Sequence, residues 1–121
     1  MQVKKLRQVF IVTANAEAQV RFYAETLALP LQFRDGARWI QFQAGEISFA
    51  LASPEEGQGA PANVPVPVFE VADLDGAMRE LTAAGHVCGG IRDMGAHGRT
   101  MMVTDPGGAR IMLFQRARSE S

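Results

Sequence analysis

The sequence has little of what several classes of protein depend on. Its 121 residues contain one cysteine, Cys88, so no internal disulfide can form, which fits a reducing compartment. Lysines and arginines form no run beyond Lys4-Lys5, and the formal net charge is −1, so the basic stripe that nucleic-acid binding needs is missing. No apolar run approaches the roughly 20 residues of a membrane span. We therefore expect a cytoplasmic protein with neither nucleic acid nor membrane as a partner.

Histidine is also scarce. His86 and His97 are the only two, and both lie in glycine-containing stretches with no carboxylate at helical spacing. Zn²⁺, Fe²⁺ and Mn²⁺ need three or four imidazole or carboxylate donors that converge on one point. The two histidines make no such signature. The sequence also lacks a Ser-His-Asp order, a phosphate-binding glycine loop and a dinucleotide fingerprint.

What the chain does contain is the balance of a soluble globular protein, with 47% hydrophobic and 21% charged residues. Its length suffices for one domain with a core and is too short for two ordinary ones. We expect a single domain over residues 1–121. It would consist of two modules at approximately 5–52 and 65–115, a flexible Gly-, Pro- and Ala-rich linker at 53–64, and a frayed polar tail at 116–121.

The first half predicts the element order βαβββ. Apolar and β-branched residues over 6–13 are typical of a strand. Asn15 is placed to cap a helix over 16–27, where apolar residues recur at helical spacing, and Pro30 ends that helix. Strands are expected to follow at 31–34, 38–43 and 46–52, with turn signals between them.

The second half repeats this order, with Asp73 placed to cap its helix and Gly85 to end it. Aligning Asp73 with Asn15 gives an offset of 58 residues, under which Phe10 matches Val68. Identities are few, so the repeat is one of pattern. The elements expected here are a strand at 65–71, a helix at 74–84 and strands at 87–92, 100–103 and 110–115.

Three segments resemble one superfamily. Residues 15–29 (NAEAQVRFYAETLAL) are similar to the first-helix signature of the glyoxalase, bleomycin-resistance and extradiol-dioxygenase superfamily, also called vicinal oxygen chelate, with Ala28 in place of its Gly. Residues 71–81 (VADLDGAMREL) resemble the second-helix counterpart, and residues 98–114 (GRTMMVTDPGGARIMLF) the closing hairpin. The resemblance implies an α+β fold of two βαβββ modules that form one curved mixed sheet, with helices on its outer face and a cavity inside. It also implies a homodimer with the cavity at or near the subunit interface.

The resemblance further implies four metal-ligand positions, on the first and last strands of each module. This sequence holds Gln8, Ala50, Val66 and Met112 there, with one step of freedom in the register around Ala50. Only the glutamine is a suitable donor, because a thioether is soft and neutral and the other two side chains are hydrocarbons. We therefore expect no metal and no other cofactor, and a partly apolar cavity that binds a small molecule.

Other residues are candidates for lining this cavity. Trp39 alternates with Gln41, while Ile40 and Phe42 share the opposite, helix-covered face of the strand. Trp39 would supply a flat apolar wall and an N–H donor, or would instead lie in a subunit interface. Ser48 and the alanines that alternate with it either leave room for a ligand or lie under a tight contact.

His97, Arg99 and Glu70 complete the candidates. His97 either touches ligand at the cavity rim or is a solvated loop histidine. Arg99 either anchors an anionic group or pairs with a surface carboxylate. Glu70 shares the Val66 face by alternation; either burial raises its pKa enough for acid–base chemistry, or it is a surface glutamate at a strand end.

Besides a regulatory or structural role, three functions are compatible with these residues, and the first is favoured. It is a protein that binds a small, partly apolar molecule without a metal, in a sequestration or resistance role. The second is a metal-independent isomerase or lyase with Glu70 or His97 as its base. The third is a metal-dependent lyase or dioxygenase with displaced ligands. Whether the chain is an enzyme stays open, since a fold alone does not decide it.

Overall fold

The computed structural model describes residues 1–118. Two compact units make up the chain. We call Gln8–Val66 the first module, and Met1–Arg7 together with the chain from Pro67 onward the second module. Strand β1 (Val3–Val12) contributes its second half to the first module and its first half to the second.

The first module contains three strands and one helix besides its part of β1. The hydrogen-bonded order is β2-β3-β4-β1, in which β1 and β4 are parallel and the other neighbours antiparallel. Ile40, Phe42 and Leu51 form the buried core beneath the helix, where Val20 and Tyr23 pack on them. The elements are α1 (Ala16–Val20), which continues as a π-helical turn over Arg21–Thr26, then β2 (Leu31–Asp35), β3 (Trp39–Ala44) and β4 (Ile47–Ala52).

The second module has the strand order β5-β9-β8-β6, with β7 also paired to β8. Strands β5 and β9 are parallel, and β8 and β9 form an antiparallel hairpin. Its core lies between this sheet and α2, where Val71, Leu74, Met101 and Leu113 are buried. The elements are β5 (Val66–Val71), α2 (Leu74–Ala83), β6 (Val87–Cys88), β7 (Arg92–Asp93), a 3₁₀ turn at Gly95–His97, β8 (Arg99–Thr104) and β9 (Arg110–Gln115).

The expected α+β fold class and the repeated order of elements are confirmed. Phe10 pairs with Ala50 as Val68 pairs with Met112, which supports the alignment of the two halves and the strand register around Ala50. No helix within residues 1–118 is long and apolar enough to cross a membrane.

Two details of the predicted elements are wrong. Asn15 holds the N-cap position of α1, but its side chain accepts no hydrogen bond there; its backbone N–H instead donates to Thr13 Oγ1 at 3.0 Å. Asp73 does cap α2, since its carboxylate accepts from Gly76 N at 3.1 Å. The strand expected over 87–92 is broken into the short strands β6 and β7.

The predicted linker, residues 53–64, forms a series of hydrogen-bonded turns. Gly57 N donates to Ser53 O at 3.0 Å, and Asn63 N donates to Val12 O at 2.9 Å. Of the predicted tail, residues 119–121 lie outside the described part of the chain.

Gly57 has no room for a side chain, which gives the first testable prediction. A Cβ at this buried position would overlap Cγ2 of Val12. We expect Gly57→Ala to lower the free energy of unfolding by about 1.5 kcal/mol, because overpacking forces neighbouring groups to shift. Urea unfolding would measure this change. Combining Gly57→Ala with Val12→Ala, which removes the obstructing methyl group, should cost less than the sum of the two single changes; a strictly additive result would contradict the steric explanation.

Candidate functional site

The candidate site lies on the face of the first-module sheet opposite α1. Alternation places Ile40, Phe42 and Leu51 under the helix, so their neighbours along the strands point to the other side. Strand register aligns β1 with β4 and β4 with β3 on that side. We define the first-module face by Gln8, Phe10, Trp39, Gln41, Ser48 and Ala50.

Polar side chains on this face form one hydrogen-bond network. Trp39 Nε1 donates to Gln41 Oε1 at 3.0 Å. Gln8 Nε2 donates to the same oxygen at 3.1 Å and to Ser48 Oγ at 2.8 Å. Gln41 Nε2 donates in turn to Gln32 Oε1 at 3.1 Å. The three positions Gln8, Gln41 and Ser48, singled out separately in the sequence, are thus brought into direct contact.

The indole of Trp39 sets the orientation of both amides that follow it. An indole N–H can only donate, so its partner on Gln41 must be the amide oxygen. The Gln8 amide must then point its nitrogen toward that oxygen. Its own oxygen, Oε1, accepts no hydrogen bond from any residue among 1–118. Ser48 accepts from Gln8 and keeps its own proton to donate. An acceptor and a donor therefore stand side by side on the face.

Apolar side chains flank this polar network. The rings of Phe10 and Trp39 pack with centroids 5.8 Å apart, within the usual range for aromatic pairs. Trp39 and Ser48 are half-buried, whereas Phe10 and Ala50 are fully buried. For Ala50, the tight-contact alternative therefore fits better than open space. The accessible part of the face is the side of Trp39 and the polar groups beside it.

The four implied metal positions do not fit a dication. Gln8 offers one free amide oxygen, while Ala50, Val66 and Met112 offer a methyl group, a hydrocarbon and a thioether. Val66 is fully buried at the start of β5, and Met112 is buried between Val68 and Met102 in the second module. Within residues 1–118, no three His, Cys, Asp or Glu side chains are grouped closely enough to hold a metal ion.

Glu70 lies in a charged cluster of the second module, on the sheet face opposite α2. Its side chain is only 4% exposed, and its Oε1 contacts Arg7 Nη1 at 3.0 Å and Arg116 Nη2 at 3.4 Å. Burial favours the neutral acid, but the guanidinium groups of Arg116 and Arg7 outweigh it and lower the pKa of Glu70. Both alternatives predicted for Glu70 are therefore wrong: it is buried rather than a surface glutamate, and its pKa is lowered rather than raised, which makes it a weak base.

Arg99 pairs with a carboxylate of its own module. It forms a bidentate ion pair with Asp75 of α2, at 2.8 and 3.1 Å, on the helix-covered side of the second module. The hydrogen bonds with Asp75 raise the pKa of Arg99 and lower that of Asp75. The alternative of a surface carboxylate pair is correct. His97 is exposed in the 3₁₀ turn, where its backbone N–H donates to Met94 O at 3.2 Å.

Sequence reasoning missed Gln32, Phe10, Arg7 and Arg116 as site residues. Gln32 reaches Gln41 because a bulge shifts the β2–β3 register between Leu31 and Phe33, which alternation does not reveal. Phe10 was available by alternation with Gln8. The two arginines stand 63 and 46 residues from Glu70, and no local pattern connects them.

Comparisons with known proteins agree with this architecture. The family model described as Glyoxalase/Bleomycin resistance protein/Dioxygenase superfamily matches residues 5–113. An uncharacterized protein of Mycolicibacterium smegmatis is 33% identical over 116 residues, covering 94% of this chain and 96% of that protein.

Solved structures of similar fold include two that cover more than nine-tenths of this chain. Methylmalonyl-CoA epimerase from Mycobacterium tuberculosis gives a TM-score of 0.68 at 21% identity, over 96% of this chain and 90% of that chain. A glyoxalase/bleomycin resistance protein/dioxygenase superfamily member from Vibrio splendidus 12B01 gives a TM-score of 0.72 at 13% identity, over 92% of this chain and 99% of that chain. At such identities the likeness concerns the fold alone.

Proposed function

Because the chain belongs to the glyoxalase/bleomycin resistance protein/dioxygenase superfamily, we propose that its first-module face binds a small, partly apolar molecule without a metal ion. The observation that carries this proposal is the network of Trp39, Gln41, Gln8 and Ser48. It holds an acceptor and a donor in fixed positions beside an aromatic surface. Sites for small molecules combine these features, with few polar groups set in an apolar wall.

The chemistry of the network indicates a neutral ligand. An amide oxygen and a hydroxyl group carry no charge, so an ionic ligand would lose hydration without a counter-charge among these groups. A planar molecule with an N–H group next to a carbonyl oxygen would donate to Gln8 Oε1, accept from Ser48 and stack against Trp39. Aromatic amides have this combination.

The residues support binding rather than turnover. An isomerase or lyase needs an acid or base positioned at the reacting atom. None of Gln8, Gln41 and Ser48 titrates near neutral pH, and the lowered pKa of Glu70 makes it a weak base. We therefore propose that the protein stores or sequesters its ligand, which for a toxic ligand would confer resistance.

NMR of the single tryptophan tests this proposal directly. The indole N–H of Trp39 gives one ¹H–¹⁵N cross-peak, and its donor atom belongs to the network. Titration with 1-naphthamide should shift this peak in a saturable way. Gln41→Leu should weaken binding by about tenfold, because it leaves the Trp39 N–H and the Gln8 amide without their partner.

Gln2→Leu is the control, since Gln2 is exposed and belongs to the second module. Its binding should remain close to that of the unchanged protein. Elemental analysis of the purified protein completes the test. Stoichiometric zinc, iron or manganese, or an indole peak that no member of a panel of neutral aromatic amides shifts, would refute the proposal.

Assembly and location remain predictions. The homodimer implied by the superfamily resemblance can be tested by light scattering, which gives the molar mass of the protein in solution. The single-domain organisation, the cytoplasmic location and the absence of a nucleic-acid partner likewise stand as expectations from composition and length.

A further inference from the structure

Two guanidinium groups of the second module meet at one carboxylate oxygen. Arg7 Nη1 lies 3.0 Å and Arg116 Nη2 3.4 Å from Glu70 Oε1. One carboxylate offsets one of the two positive charges, so the three side chains together carry one net positive charge. The two guanidinium groups repel each other, and a bound anion would relieve this repulsion.

Both arginines retain donors that can reach a ligand. A guanidinium carries five N–H groups in a planar fork, and within residues 1–118 each of these two donates only to Glu70. The side chain of Arg7 is 37% exposed and that of Arg116 is 63% exposed. Arg7 is also held in place, since its guanidinium carbon lies 4.2 Å from the centre of the Phe114 ring.

Glu70 adds an acceptor to this arrangement. Both arginines bond to Oε1, and no group among residues 1–118 donates a hydrogen bond to Oε2. Within residues 1–118, every fully buried side-chain oxygen or nitrogen has a hydrogen-bond partner, so an atom without a partner, such as Oε2, is not fully buried. Oε2 is therefore reached by solvent, although the side chain as a whole is 96% enclosed by protein, with 4% exposed. A solvent-reached carboxylate oxygen beside two exposed guanidinium groups can bind a ligand that both accepts and donates hydrogen bonds.

We infer that Arg7, Arg116 and Glu70 form an oxyanion site that selects a group carrying both a negative charge and a proton, as the monoanion of a phosphate monoester does. The charged oxygens of such a group accept from the two guanidinium groups. Its P–OH proton is donated to Glu70 Oε2. A sulfate ester has the same charge and a similar shape but no proton, so its oxygen would face the carboxylate without a hydrogen bond. This inference does not rest on the function proposed for the first-module face.

Calorimetric titration with phenyl phosphate and phenyl sulfate tests the inference. At about pH 5.5 most of a phosphate monoester is the monoanion, because its second pKa is near 6. Phenyl phosphate should bind at least about tenfold more tightly than phenyl sulfate. Inorganic phosphate, titrated alongside, distinguishes a site for the free ion from one for a phosphoryl group on a larger molecule. Equal binding of the two esters, or binding of neither, would overturn the inference.

Substitutions test whether Arg116 and Glu70 produce the preference for phenyl phosphate over phenyl sulfate. Arg116→Gln should weaken phenyl phosphate binding by about tenfold, whereas Arg118→Gln, a change at an exposed arginine two residues away, should leave it unchanged. Glu70→Gln should narrow the difference between the two esters, since a carboxamide can donate to sulfate as well as accept. If Glu70→Gln fails to fold, the comparison of the two arginine variants still decides, and equal losses in both would contradict the site.

Discussion

Replacing Gly98 with alanine is expected to lower the free energy of unfolding by about 4 kcal/mol. Gly98 has φ +91° and ψ −164°, a conformation that only glycine adopts without strain of roughly 1–3 kcal/mol. A Cβ there would also lie 2.6 Å from Gln115 O and 2.7 Å from Phe114 Cε2. Overpacking against backbone and an aromatic ring adds roughly 1–3 kcal/mol. Urea or thermal unfolding would measure the loss.

Gly108→Ala is the matched control, because Gly108 also has a positive φ but a side chain there would meet no collision. Gly108 has φ +93°, and nothing lies within 4 Å of a Cβ built on it. We expect this change to cost about 1 kcal/mol from the positive φ alone. If the two alanine variants were equally stable, the close approach of Gly98 to β9 would not be what requires glycine there.

The second large effect is expected from Arg7→Met. This change keeps an unbranched side chain over Phe114 and removes the charge that faces Glu70. Removing one partner of a buried ion pair costs about 3–5 kcal/mol. We expect about 2.5 kcal/mol, because Arg7 is 37% exposed to screening solvent and Arg116 still faces the carboxylate.

The effect of Arg7→Met should depend on pH. The pKa of Glu70 in the folded protein is below its ordinary value of 4.5, so its ionisation stabilises the fold above that value. This stabilisation is lost as pH falls through the folded-state pKa. Unfolding measured from neutral pH into the acid range should therefore show the stability difference between the two proteins shrink as Glu70 is protonated. Arg118→Met is the control and should match the unchanged protein throughout; a pH-independent deficit in Arg7→Met would remove Glu70 from the explanation.

Local patterns predicted most of the fold. Helix ends were found where a side chain or backbone angle fixes them: Asp73 caps α2, and Gly85 has φ +85° just after it. Strand faces followed from alternation, which placed Ile40 and Phe42 under α1 and Trp39 with Gln41 on the opposite side. These features depend on neighbouring residues, so the sequence carries them directly.

Other features depend on geometry that no short window contains. The strand expected over 87–92 breaks at Gly89-Gly90, where only Gly89 keeps a bond to β8, donated to Met102 O at 2.8 Å. A β-bulge places Gln32 within hydrogen-bonding distance of Gln41. The side chain of Asn15 makes no capping hydrogen bond to α1. In each case the residue type permits the expected structure, but the hydrogen bonds that form are different ones.

The candidate site was predicted in part for the same reason. Gln8, Gln41 and Ser48 were found because they share a face through regular strand register. The arginine partners of Glu70 were not predicted. Without them the direction of its pKa shift could not be predicted either, because the pKa of a carboxylate depends on neighbouring charges as well as on burial. Arg99 is a further example: the sequence allowed it to bind a ligand, but in the structure it forms an ion pair with Asp75 of α2.

The parallel pairings that close each module have a kinetic consequence. Gln8 bonds to Ser48 across 40 residues, and β5 meets β9 across a similar length of chain. The β2–β3–β4 meander and the β8–β9 hairpin need only short loops and can form within microseconds, on the order of hairpin formation in general. Pairing of the first strand of a module with its last strand is expected to be slower, because the entropic cost of closing a loop grows with the length of chain that it encloses. We expect refolding to be limited by these two end-to-end closures, at rates typical of proteins rich in non-local contacts.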